Sequence, residues 1–179
     1  MDIYVDKNSN RIEWSVDDNT VVICNNYVSY AFKHGKKLLM VKERYESSEV
    51  GFTIYDNSGN SVISYKYLGD NFTYRGVNIV DVNGMIISAD YEEEKKNIVI
   101  LKEFEKSRSL LIYGKQGDFV AEIPSPQGYT FISLKNCDGN IMVVARGTND
   151  ITKDSFGRND WNFEVDLENF YVQKKSVIE

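Results

Sequence analysis

A chain of 179 residues, 42% of them hydrophobic and only two of them proline, has the size and make-up of one ordinary globular domain, which excludes a linker-rich or disordered protein. Its 21 Lys and Arg against 27 Asp and Glu leave a net charge of −6, so long-range electrostatics oppose nucleic acid and anionic membranes and favour basic partners. Two cysteines and one histidine are too few for a Cys/His zinc cluster, and no apolar run approaches the roughly 20 residues of a membrane-spanning helix.

Twelve Tyr and nine Phe lean the composition towards strands. In chain order, residues 3–16 predict a hairpin around Asp6-Lys7-Asn8-Ser9-Asn10. Asp17-Asp18-Asn19-Thr20 breaks it, and the apolar run Val21-Val22-Ile23-Cys24 predicts a buried, inert thiol. Residues 28–32 and 37–44 predict a second hairpin around His34-Gly35, its second strand apolar enough to be buried on both faces. The link Glu46-Ser47-Ser48 leads into residues 50–67, where β-branched and aromatic flanks enclose Asp56-Asn57-Ser58-Gly59-Asn60. Residues 77–82 and 85–89 flank Asn83-Gly84, the strongest short-range hairpin signal, because a type I′ turn needs positive φ at both central positions. Glu92-Glu93-Glu94-Lys95-Lys96 predicts a solvated loop tip. Residues 97–104 and 109–113 read as strands, and the segment 103–108 between them continues no apolar face at helical spacing. Residues 131–135 and 141–146 flank Asn136-Cys137-Asp138-Gly139-Asn140. The stretch 147–160 is polar and without pattern, 161–173 supplies the last strands, and 174–179 predicts a frayed tail.

These hairpins line up. Tyr4 to Tyr55 spans 51 residues and Tyr55 to Tyr113 spans 58; Gly35 to Gly84 spans 49 and Gly84 to Gly139 spans 55. Two interleaved series of similar period give two hairpins, or four antiparallel strands, per unit. The expectation is a single all-β domain over 1–179 with propeller-like repeats at 21–67, 77–123 and 131–173 and an extra amino-terminal hairpin at 3–16. Three and a half units also suit a partial propeller that pairs as a homodimer, or the hairpins of a β-sandwich or barrel. The Gly-His and Trp-Asp signatures of WD40 blades are missing.

No motif declares a chemistry. The one histidine, His34, sits in a lysine-rich turn whose charges disfavour its protonated form, and the plainer reading is an exposed turn residue. Cys137 lies at a hairpin tip with nothing in sequence to activate it. Asp6-Lys7-Asn8-Ser9-Asn10 resembles the start of a calcium loop, but Arg11 stands where glycine belongs and Asp17 where the closing Glu belongs, so turn composition accounts for it better. No metal and no cofactor are expected. Tyr65-Lys66-Tyr67 has the aromatic–basic look of a single-strand nucleic-acid binder, which the acidic balance opposes. Glu164, Asp166 and Glu168 alternate, so in a strand they share one face that must be solvated or meet a basic partner; an edge that discourages aggregation is the plainer reading.

In size, acidity and lack of enzymatic motifs the chain resembles, in class only, the small acidic bacterial immunity proteins that neutralise a cognate toxin, as in contact-dependent inhibition systems. That resemblance implies a non-enzymatic protein-binding module in the cytoplasm, whose partner is a protein such as a basic toxin domain rather than nucleic acid or membrane. The acidic start Met1-Asp2-Ile3-Tyr4, unlike a secretory signal, agrees with that location. The expected partner-binding residues are Glu92, Glu93, Glu94, Asp150, Asp154, Asp160, Glu164, Asp166 and Glu168. Two other functions stand beside it. A carbohydrate or small-ligand binder would use Trp14 and Trp161 to stack its ligand, and a hydrolase would use carboxylates alone.

Overall fold

The computed structural model describes residues 1–46, 48–80, 82–137 and 139–178. Ser47 in the link before residue 50, Asp138 at its hairpin tip, Asp81 and the terminal Glu179 lie outside the described residues. The chain is all-β and antiparallel, and it divides into two compact units, Met1–Val80 and Asp81–Glu179. Among the described residues there is no α-helix, and no helix is long and apolar enough to cross a membrane.

The first unit holds two sheets. Strands β1 (Ile3–Asp6), β2 (Arg11–Val16) and β3 (Asn19–Cys24) form a three-stranded meander. A six-stranded meander follows: β4 (Val28–His34), β5 (Leu38–Arg44), β6 (Val50–Tyr55), β7 (Ser61–Lys66), β8 (Asn71–Tyr74) and β9 (Val77–Val80). Alternation in β2 turns Ile12 and Trp14 inward, where they meet Ala31, Leu39 and Val41 of the larger sheet. Strand β5 is buried on both faces, as its apolar run requires.

The second unit holds two four-stranded meanders, the unit expected of propeller-like repeats. One is β10 (Met85–Tyr91), β11 (Ile98–Phe104), β12 (Ser107–Tyr113) and β13 (Phe119–Pro124). The other is β14 (Tyr129–Cys137), β15 (Asn140–Gly147), β16 (Asp160–Asp166) and β17 (Tyr171–Val177). They share one core, with Val99, Leu101, Leu110 and Ile112 against Phe131, Val143, Ala145 and Phe163. Each large aliphatic or aromatic side chain so buried contributes about 1.5–3 kcal/mol. The first strands also meet directly: Asn136 Nδ2 on β14 donates to Asp90 Oδ1 on β10 at 3.1 Å. A register shift recurs near the start of the opening strand of three sheets, between Val28 and Tyr30, Ile86 and Ser88, and Phe131 and Ser133.

Several expectations change. The Asn83-Gly84 hairpin does not form: β9 pairs with β8 in the first unit, and β10 pairs with β11 in the second. Asn83 has φ of 49°, but Gly84 lies at 148°, well away from the type I′ value. A Cβ on Gly84 would come within 2.7 Å of the Glu103 carbonyl oxygen, so glycine is needed there for close approach rather than for a turn. Strand β3, expected to open a repeat, pairs with β2 and closes the amino-terminal sheet. As the edge of that sheet it leaves Cys24 exposed, not buried. The tail expected to fray is strand through Val177, and Ile178 N–H donates to the Asp160 carbonyl at 2.8 Å.

Candidate functional site

At one end of the second unit, two turns and the end of a strand converge on a cleft of about 380 Å³. The β10–β11 turn brings Glu92, Glu94 and Lys95; the end of β16 brings Glu164 and Asp166; the β16–β17 turn brings Glu168. Two carboxylate groups far apart in sequence thus line one groove, with the apolar side chains of Ile141 and Leu167 and the ring of Tyr171 between them.

Four of these carboxylates have a local task. Glu92 is buried and accepts from the N–H of Glu94 at 2.9 Å and of Lys95 at 2.7 Å, so it shapes its own turn. Asp166 accepts from the N–H of Glu168 and Asn169 at 2.8 and 2.9 Å and from Asn169 Nδ2 at 3.1 Å. Led by the Asn169 backbone bond, these donors hold its pKa down to about 2. Lys95 Nζ reaches Glu168 at 2.6 Å and ties the β10–β11 turn to the β16–β17 turn; that bond pushes the Lys95 ammonium up. Glu164 pairs with Lys175 at 2.7 Å. Five carboxylates face one ammonium in the groove wall, Lys95, and a second beside it, Lys175, so the groove keeps a net negative charge.

The other expected residues are elsewhere. Glu93, half-buried in the same turn, does not line the groove. Asp150, Asp154 and Asp160 belong to the 147–160 loop, at the opposite end of β15 and β16. Each has a cationic partner: Lys153 at 2.7 Å, Arg158 at 2.7 Å and Arg146 at 2.7 Å. Lys153 lowers the Asp150 pKa, and Arg146 lowers that of Asp160. For Asp154, burial raises the pKa, but Arg158 and the backbone N–H groups of Arg158 and Phe156 outweigh it.

The remaining nominated chemistry has structural uses. Trp14 is fully buried in the core of the first unit. Trp161 donates from Nε1 to the Thr152 carbonyl at 2.8 Å, and Lys174 Nζ lies 3.4 Å from its ring centroid, so the ring face is already covered. Asp6 accepts from Asn8 N–H at 2.9 Å and Ser9 Oγ at 2.6 Å, which closes the β1–β2 turn. Cys137 is exposed, as its tip position suggests. Sequence reasoning did not single out Lys95 or Tyr171. Nor did it weigh Ile151 and Phe156, although two large apolar residues in an otherwise polar stretch were a visible signal.

No family model, curated protein or solved structure matches the chain.

Proposed function

We propose that the chain is a non-catalytic protein-binding module, an immunity protein that neutralises a cognate bacterial toxin in the cytoplasm by direct binding. The observation that supports this is the acidic groove, where Glu92, Glu94, Glu164, Asp166 and Glu168 converge from two turns and the end of β16. A basic segment of a toxin domain fits such a groove. Its Lys and Arg stems lie along Leu167 and Tyr171, and their charged heads reach the carboxylates. Lys95 and Lys175 hold Glu168 and Glu164 in the free protein. Their ion pairs are exposed, so exchange for an incoming cation costs little.

The test is co-expression. The carboxy-terminal domain encoded by the reading frame immediately upstream is produced in a sensitive host with and without this chain. Restored growth together with a stable complex is the expected result, and a toxin left active overturns the proposal. The Glu94→Lys/Glu164→Lys variant spares Glu92 and Asp166, which shape their turns. It is expected to weaken the complex by about tenfold or more. Unchanged affinity would remove the groove from the interface.

A further inference from the structure

Asn83-Gly84 is left without the task its sequence suggests, since no hairpin forms there. The dipeptide lies between Val80, where β9 ends, and Met85, where β10 begins, and Asn83 is exposed. Asparagine followed by glycine also carries a chemical signal. The glycine N can close on the asparagine side-chain carbonyl, because no Cβ on the following residue stands in the way. Asn57 makes the contrast. It sits in the β6–β7 turn, but Ser58 follows it, and the Ser58 N–H is held by Asp56 Oδ1 at 2.9 Å.

The Asn83 backbone carbonyl meets an ammonium. Lys102 on β11 is only 6% exposed, and its Nζ donates to the Asn83 carbonyl oxygen at 3.4 Å and pairs with Glu122 Oε1 at 3.2 Å. Asn83, Lys102 and Glu122 line a cleft of about 250 Å³, polar and roomy enough to admit water.

We infer that Asn83 is a site of self-modification: it deamidates through Gly84, and Lys102 steers the product to isoaspartate. In the first step the Gly84 N attacks Asn83 Cγ. The N–Cγ bond forms, the Cγ–Nδ2 bond breaks, and ammonia leaves with the proton of the Gly84 N–H. The result is a five-membered succinimide with two carbonyls. In the second step water adds to one of them, and the bond from that carbon to the Gly84 N breaks. Attack at Cγ restores the chain as aspartate. Attack at the former backbone carbonyl leaves the chain running through Cγ and turns that carbonyl into a free carboxylate, which is isoaspartate. The sum is one water consumed and one ammonia released, with nothing oxidised or reduced. Lys102 is placed on the backbone carbonyl. Its ammonium draws electron density from that carbon, which favours attack there, and then pairs with the carboxylate that results. The inference stands apart from the protein-binding reading, since it needs no partner.

The test is a peptide map of the full chain after several days at physiological temperature in mildly alkaline buffer. The Asn83 peptide should gain the mass of an amide-to-acid conversion while the Asn57 peptide stays unchanged, and Asn83→Gln should abolish the gain at that position. An Asn83 peptide that stays intact, or converts no faster than that of Asn57, overturns the site. Isoaspartate is told from aspartate by electron-transfer fragmentation and counted with an isoaspartyl methyltransferase. Folded wild type should give an isoaspartate-to-aspartate ratio about threefold or more above the same chain unfolded in urea, where Lys102 is no longer held at the carbonyl. Lys102→Met should lower the ratio to the unfolded value, and Lys102→Arg should keep it high. Equal ratios in folded and unfolded wild type overturn the role of Lys102, whether or not Lys102→Met folds.

Discussion

Glu43 is only 5% exposed, and neutral donors hold its carboxylate: Asn25 Nδ2 and the Tyr45 hydroxyl, each at 2.6 Å, and Thr53 Oγ1 at 3.0 Å. Burial, reinforced by the bond to Glu43, raises the Tyr45 pKa. Gly51 leaves the space, since a Cβ there would press on the Tyr45 ring at 2.8 Å. Glu43→Ala strands buried donors and should cost about 2–4 kcal/mol in urea unfolding; a loss under about 1 kcal/mol would show that the network relaxes freely. Glu43→Gln, which keeps an acceptor, should lose about half as much. Asp166 acts through protonation instead. Its folded pKa lies below the unfolded one, so its contribution is complete above about pH 4 and disappears as the pH falls towards about 2. The gap in melting temperature between wild type and Asp166→Ala should therefore narrow between pH 5 and pH 2. Neither role was visible in sequence, because both depend on which backbone and side-chain donors the fold brings to the carboxylate.

Most hairpins were legible because their turn residues carry the conformation. The 50–67 hairpin closes through Asp56, whose carboxylate accepts from the N–H of Ser58 and Asn60. The β11–β12 turn gave no such signal, unlike Asp17-Asp18, which read as a break. Glu105 and Lys106 join β11 to β12 with φ of 48° and 67°, and Asp17 and Asp18 join β2 to β3 with 48° and 64°. Both are two-residue turns with positive φ at each centre; Asp accepts that conformation, whereas Glu and Lys do not favour it. Replacing Glu105-Lys106 by Asn-Gly should stabilise the protein by about 0.5–2 kcal/mol, read as a raised denaturation midpoint with unchanged slope. The reverse error arose at Asn83-Gly84, where the same dipeptide leads from one sheet to the next. Local propensity sets the φ a residue accepts; the strand it meets afterwards is decided by pairing far from the turn. The groove was half legible for the same reason. Both of its acidic segments were named from sequence, but their meeting depends on the packing of two sheets.

For the molecule as a whole, charge bears on rate more than on fold. Under the proposed function, the −6 charge draws in a basic partner, so the association rate should fall steeply as ionic strength rises while dissociation changes little. Stopped-flow mixing at 50 and 300 mM salt would measure it, and a salt-independent association rate would count against electrostatic capture. The all-β class and the four-strand unit could be read from composition and hairpin spacing; the assignment of β3 and β9 to their sheets could not, because alternation says which face is apolar and not which neighbour covers it. One consequence of the meander concerns biosynthesis. Among the described residues every strand pairs with the strand before or after it in sequence, and no ladder waits for a segment made much later. Each sheet can zip up as soon as its last strand clears the ribosome, about two to eight seconds after its first at 5–20 residues per second for a 40-residue sheet. A long translational pause when residue 24, 80 or 124 has just emerged from the exit tunnel would leave complete ladders outside it, whereas a pause with a sheet half emerged would leave an unpaired edge open to other chains.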